Sequence, residues 1–509
     1  MGTMSHHATT DDRVDVVDED TQLLDEPSRN SSSASKNQPK LTYFDAFALL
    51  VSLQIGSGIF SSPSSVDKHT PAPGYAIIIW LFSGLLAWTG AACYAELGSA
   101  LPVSGGTQEY LKYIFGDGLA FMSSWIWIMA IKPSSMAALS VTFAQYWINF
   151  VFDSSDAANG WQGKVLALAG FAVVVFFNMV SIKATIGMTR FFLTLKLLTL
   201  LLLLICTVLS LFFDIHLGEG TPTRDWSNRN WFSTTNPTWQ PGIWNSIGES
   251  TIAMYAGLWA YSGWDNANMV AGDMRNSSRD LPRAIHTAQP VVIFGFILAN
   301  ICYYITVPWS QISNTNTIAV VVGNNILGWV GSLSFAALVS LACLGSLNVN
   351  VFTTSRLIVS AAQADWFPSS FGKFTSLYSF CSNKNTSSPN QTPINAMLLT
   401  TTTTTIYILL GTFRSLITFI GLAEYLFFSA TAIGLLVLRI REPNLTRPYK
   451  PSIVIPVIFA AVSLFLVVCG AANAPMEAGV LGGLIGLGVG RKVWGRVWGV
   501  AGEWRLSQA

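Results

Sequence analysis

Charge is what this chain has least of. Asp, Glu, Lys and Arg make up 11% of its 509 residues, against roughly 25% in soluble domains. The two signs nearly cancel, with 28 Lys and Arg against 27 Asp and Glu. No basic excess exists to hold a phosphate backbone, so no nucleic-acid partner is expected. Histidine is also scarce. His6, His7, His69, His216 and His286 are scattered through tail, loops and span ends. No metal-ligand spacing and no nucleophile–base pair stands out, so the chain does not read as an enzyme and calls for no cofactor. Of the six cysteines, Cys93, Cys206, Cys302, Cys343 and Cys469 fall in apolar stretches and Cys381 in a polar loop. That placement predicts no disulfide. The N-terminus lacks a signal-peptide layout, because its first residues are polar.

What the chain has is apolar length. Hydrophobic residues are 51% of it, and its mean hydropathy is +0.46. Several runs approach the ~20 apolar residues that cross hydrocarbon. The reading is an all-α polytopic membrane protein with twelve spans. They lie near 43–66, 75–98, 119–147, 164–182, 189–213, 246–271, 286–308, 327–360, 393–411, 414–438, 452–471 and 473–490. The last is weak, being short and Gly-rich. Residues 1–41 are acidic and then Ser/Asn-rich, a composition expected to stay disordered as a cytosolic tail. Within that tail Glu19 to Leu24 resembles an acidic dileucine sorting signal. Residues 42–490 form the transmembrane unit and 491–509 a cytosolic C-terminal tail. With both termini inside, one side carries seventeen Lys and Arg and the other five, namely Lys68, Lys164, Arg224, Arg229 and Arg414. The asymmetry supports that orientation. The plasma membrane is the expected residence, with a vacuolar or endosomal membrane the alternative.

Two spans are broken by glycine. The first carries Gln54-Ile55-Gly56-Ser57-Gly58-Ile59-Phe60, and the sixth carries Gly257 to Trp264. In lipid a helix must satisfy its own backbone, so a mid-span break is tolerated where it lines a cavity. One break in each half of a many-helix protein points to a transporter site at an inverted-repeat interface. Spans one to five and six to ten would be the two repeats. At such breaks, free N–H groups hold a carboxylate and free carbonyls hold an ammonium, so one zwitterion can use both. Small residues at Gly56 and Gly58 also permit a close helix crossing. Trp259 reads as a pocket wall, with packing the plainer role for it and for Trp264.

Few charges fall inside the spans. Asp265 follows the second break and is a functional candidate by default. Its plainer role is to cap the restarting half-helix. Lys196 lies in the fifth span, where an ammonium needs carbonyl or carboxylate partners. Bonded to the broken first helix, it would stand where a cation otherwise sits. Lys132 is placed similarly, with a carbonyl opened beside Pro133 as a simpler partner. Glu96, near the cytosolic end of span two, reads as solvated or loop-pairing.

These residues resemble a known family. GSGIF, CYAELG (Cys93 to Gly98), IKPSS (Ile131 to Ser135), the Lys196 segment, GLWAYSGWDNANMV, RDLPRAI, the Gly345 to Leu357 stretch and RPYKPSIVIPV look like the L-type amino acid transporters. Those belong to the amino acid–polyamine–organocation superfamily, and the likeness runs in order through about residues 43–470. The fungal high-affinity methionine permeases look similar around GSGIFSSPSSV. The resemblance implies a twelve-helix, five-plus-five inverted-repeat fold with helices one and six broken. It implies an α-amino acid substrate held by the backbone of Ile55, Gly56, Ser57 and Gly58 and by Trp259, Ala260 and Ser262. Lys196 would replace a cation site. The chain departs from the animal members at Trp259, Ser262 and Asp265, where those carry Phe, Gly and Asn. It also lacks the cysteine between spans three and four that those members join to a heavy chain, so no disulfide-linked heavy chain is expected.

The resulting expectation is a secondary transporter of neutral L-amino acids, large or methionine-like, working by alternating access. No acidic or basic side chain lies inside the two breaks, which favours a neutral substrate. Proton symport through Asp265, proton-independent exchange, and an amino acid sensor using the same site are the rivals.

Overall fold

In the computed structural model, residues 42–101, 105–152, 160–180, 182–212, 225–236, 239–240, 242–375 and 392–506 are described. The sorting-like segment and Cys381 lie outside these residues. Helices stand at all twelve expected positions. The first is three pieces: α1 (Tyr43–Gln54), α2 (Gly58–Ser61) and α3 (Pro63–Lys68). Then come α4 (Pro73–Ala100), an interfacial α5 (Thr107–Phe115), α6 (Asp117–Phe152), α7 (Trp161–Val180) and α8 (Ile182–Phe212). The second half has α9 (Ile243–Ala260), a 3₁₀ segment (Trp264–Asp273), α10 (Ser277–Thr306), α11 (Ile318–Gln363), α12 (Ile394–Leu410), α13 (Phe413–Arg441), α14 (Val454–Asn473) and α15 (Pro475–Leu506). Eight of the described helices are long and apolar enough to cross a bilayer.

Their outward faces explain the composition. Phe82, Phe294 and Val457 are exposed on α4, α10 and α14. Such apolar surface is unsustainable in water and normal against lipid tails. Helix α1 packs on α10, and α9 packs on α4, α13 and α14.

Three features differ from the sequence reading. An unexpected helical piece begins at Ile318 and turns at Gly328 into the eighth span, which starts near its expected position; the φ of 62° at Gly328 lies in the left-handed region that glycine enters without strain. An apolar pattern cannot show such a break, because both pieces are equally apolar. The helix of span twelve does not end at 490 but runs to Leu506, through the expected tail. The restart after the sixth-span break is 3₁₀ rather than α-helical.

Glu96 is also corrected. It is fully buried and not solvated. Arg439 Nε donates to its Oε1 at 3.0 Å, Arg439 Nη2 bonds its Oε2, and Arg447 Nε lies 3.3 Å from Oε1. The loop-pairing half of the expectation fits, since Arg447 follows α13. Two guanidinium groups are what make a carboxylate tolerable there.

Candidate functional site

The first break begins where α1 ends at Gln54. Ile55 leaves helical geometry at φ −72°, ψ 78°. The chain turns through Gly56 and Ser57 and restarts at Gly58. Ser62 keeps helical angles, so α2 and α3 run on as one helical stretch with Pro63 in its middle. The first N–H groups of such a restart have no preceding turn to bond. In the second break, α9 ends at Ala260, and Gly263 takes φ 110° before Trp264. A side chain is strained at that angle, which accounts for glycine there.

The two breaks pack on each other. A Cβ built on Gly58 would meet the Ala260 Cα at 2.6 Å and its Cβ at 2.9 Å. That is contact only two bare backbones can make. Gly56 is different: a Cβ there would find Ser346 Oγ at 3.4 Å, an ordinary contact.

Beside this junction lies a polar cavity of about 80 Å³. Gly56, Ser57, Gly58, Trp259, Ala260, Ser262 and Asp265 all line it. Ile55 and Lys196 do not. Ile55 is buried behind the break. Lys196 Nζ donates to Ser346 Oγ at 2.9 Å, and Ser346 is the cavity residue that touches Gly56. Through this bond Lys196 reaches the first break by way of Ser346. Trp259 packs edge-on against Phe413 with centroids 5.4 Å apart and forms a wall. Trp264 is buried among Tyr94, Phe428 and Phe459, so it anchors the fold and is absent from the cavity lining.

Asp265 is not the cap. Gly263 holds the N-cap position, with no side-chain cap bond, and Asp265 sits in the first turn. It is buried, and its Oδ2 has no hydrogen-bond partner. Lys132 also lines the cavity, with Nζ 5.4 Å from the centroid of the Trp127 ring. The carbonyl opened beside Pro133 is that of Met129, one α-turn back. It accepts from the Tyr407 hydroxyl at 3.2 Å. The turn before Lys132, Trp127–Ile131, is a π-helix. Such bulges re-aim side chains and gather at functional sites.

Among the cavity residues that the sequence reading did not single out are Gln54 and Glu424. Gln54 is the last residue of α1, and both its amide atoms are buried and unbonded. Glu424 comes from α13 and is buried at the same cavity as Ser262. A signal for Glu424 existed: it is a carboxylate inside the apolar run Phe419–Leu436.

The comparisons agree with this architecture. A family model described as amino acid permease matches residues 41–485. The Asc-type amino acid transporter 1 of Mus musculus is 31% identical over 438 residues, covering 86% of this chain and 77% of that protein. The b(0,+)-type amino acid transporter 1 of Homo sapiens is 31% identical over 441 residues, covering 86% and 84%. The large neutral amino acids transporter small subunit 2 of Mus musculus is 30% identical over 438 residues, covering 86% and 77%.

Proposed function

The chain belongs to the amino acid permease family, and on that premise we propose that it is a secondary transporter of neutral L-amino acids working by alternating access. The observation that carries the reading is the junction of the two breaks. Gly58 lies on Ala260, and the loose ends of both half-helices border one polar cavity. A zwitterion taken from water loses its hydration, and an unpaired charge there costs several kcal/mol. The restart at Gly58 offers N–H groups to the carboxylate, and the end of α9 offers carbonyls to the ammonium. Uniform pairing of both charges leaves the side chain to choose the substrate. Trp259, Ile131 and Leu139 supply apolar wall for it.

A neutral preference is also supported by the relatives, one of which is named for large neutral amino acids. The plasma membrane remains the proposed residence, and no covalent heavy chain is needed.

The test is uptake by purified protein in liposomes. Labelled alanine, methionine, leucine and lysine are offered with and without internal substrate. Saturable uptake of the neutral members is expected. Uptake of lysine alone would move the specificity to cationic side chains, and binding without uptake would make the protein a sensor.

A further inference from the structure

The cavity holds three ionisable side chains from three elements: Lys132 from α6, Asp265 from the second break and Glu424 from α13. All three are at least nine-tenths buried. One ammonium against two carboxylates leaves one negative charge over. An uncompensated charge in an enclosed, lipid-surrounded site is costly, and two carboxylates that share one such site commonly share a proton. Two further observations bear on this imbalance. Asp265 Oδ2 has no hydrogen-bond donor, and the Gln54 amide in the same cavity is unbonded.

We propose that Asp265 and Glu424 form a proton-binding pair, that Lys132 compensates only one of them, and that the bound proton is carried with the substrate. The inference rests on the transport reading above and deepens it. The step is a simple protonation: a carboxylate oxygen takes a proton from the acidic side and releases it on the other. The proton belongs to the pair and not to one residue.

Ser262, in the second break, lines the same cavity as the pair, so proton binding there takes place beside the residues that border the amino acid.

The other titratable groups around the pair leave this balance intact. Tyr425 adjoins Glu424 on α13, Tyr94 on α4 faces Asp265, and Tyr255 on α9 lies against Tyr425. From α14, Cys469 faces Tyr255. Tyr110 on α5 donates to Asn268, and Glu477 on α15 accepts from Ser415. Arg439 at the end of α13 is held by Glu96. None of these supplies a second cation beside Asp265 and Glu424.

The test uses purified protein in liposomes loaded with a pH-sensitive dye, with labelled alanine, methionine and leucine outside. Wild type is expected to acidify the lumen as it takes up amino acid, and its uptake should rise several-fold from neutral to acidic medium. Glu424→Gln and Asp265→Asn each leave one carboxylate for one ammonium. Each should lose lumen acidification and flatten the pH profile, in protein that stays folded and monodisperse in detergent. Wild-type uptake without proton movement would overturn the proposal, and so would wild-type-like proton movement in either variant. Uptake that follows a sodium gradient at fixed pH would overturn it too. If wild type carries none of these amino acids under any gradient, the transport reading fails, and this inference with it.

Discussion

Gly56 and Gly58 stand two residues apart and serve different ends. Gly58 has no room for a methyl group, because Ala260 backbone lies 2.6 Å from where it would go. It packs on Ala260 as the close-crossing role requires, and it also lines the cavity. Gly56 has room, yet it lies on the cavity beside Ser346. Gly58→Ala should therefore lower the thermal midpoint in detergent, whatever it does to uptake. Gly56→Ala should keep that midpoint and raise the KM for amino acid several-fold. A Gly56→Ala protein with unchanged KM would show that substrate does not approach that backbone. Lys196 gives a second prediction at this scale. Its ammonium bonds Ser346, which touches Gly56. Lys196→Met keeps the stem and loses the charge. Turnover should fall strongly, and Ser346→Ala should reproduce part of the loss. Normal turnover in the Met variant would reduce Lys196 to packing. The residue scale is also where the sequence was hardest to read. Glu96 and Glu424 are both acids in apolar surroundings. Only the positions of Arg439 and Arg447, over 340 residues away in the case of Arg439, show that one is compensated. Glu424 meets Lys132 and Asp265 only after three elements have packed.

At the scale of elements, the breaks were legible because glycine inside a membrane-length apolar run has a specific backbone use. The form of the second restart was not. Trp264–Asp273 winds as 3₁₀, a choice set by how Trp264 fits among Tyr94, Phe428 and Phe459. The π-turn at Trp127–Ile131 was equally hidden, since an extra residue in a turn leaves no mark on composition. The φ of 110° at Gly263 yields a prediction. An L-residue held in left-handed geometry costs about 1–2 kcal/mol. Gly263→Ala should destabilise the protein by that order in a denaturation series and impair transport, because the strain falls on the element that carries Ala260, Ser262 and Asp265. Full stability would mean that the break relaxes to another geometry. The outer half-helices are tied together: His69 Nδ1 lies 2.5 Å from Glu249 Oε2 on α9, and the Tyr304 hydroxyl on α10 donates to Asp67 at 2.7 Å. These ties join the end of α3 to α9 and to α10.

For the whole molecule, alternating polar and apolar lengths gave the architecture at once. Lipid demands ~20 apolar residues per crossing, and that demand is written along the chain. Relatives bearing the name small subunit raise the question of a companion chain. The segment between α6 and α7 contains no cysteine, so no covalent partner can be held there. Expressed alone, the protein should reach its membrane and transport. A strict requirement for a co-expressed single-pass protein would contradict this, and membrane fractionation with uptake assays decides it.

The central claim is that the paired breaks hold the amino acid that is carried. Counterflow in liposomes tests it most directly, because it needs no driving gradient and reports only binding and alternation. Vesicles loaded with unlabelled leucine should draw in labelled leucine through the wild type. Gly56→Val, which fills the approach to the first break, should abolish that signal in protein that remains folded and monodisperse. Undiminished counterflow through the Val variant would place the substrate elsewhere and contradict the account.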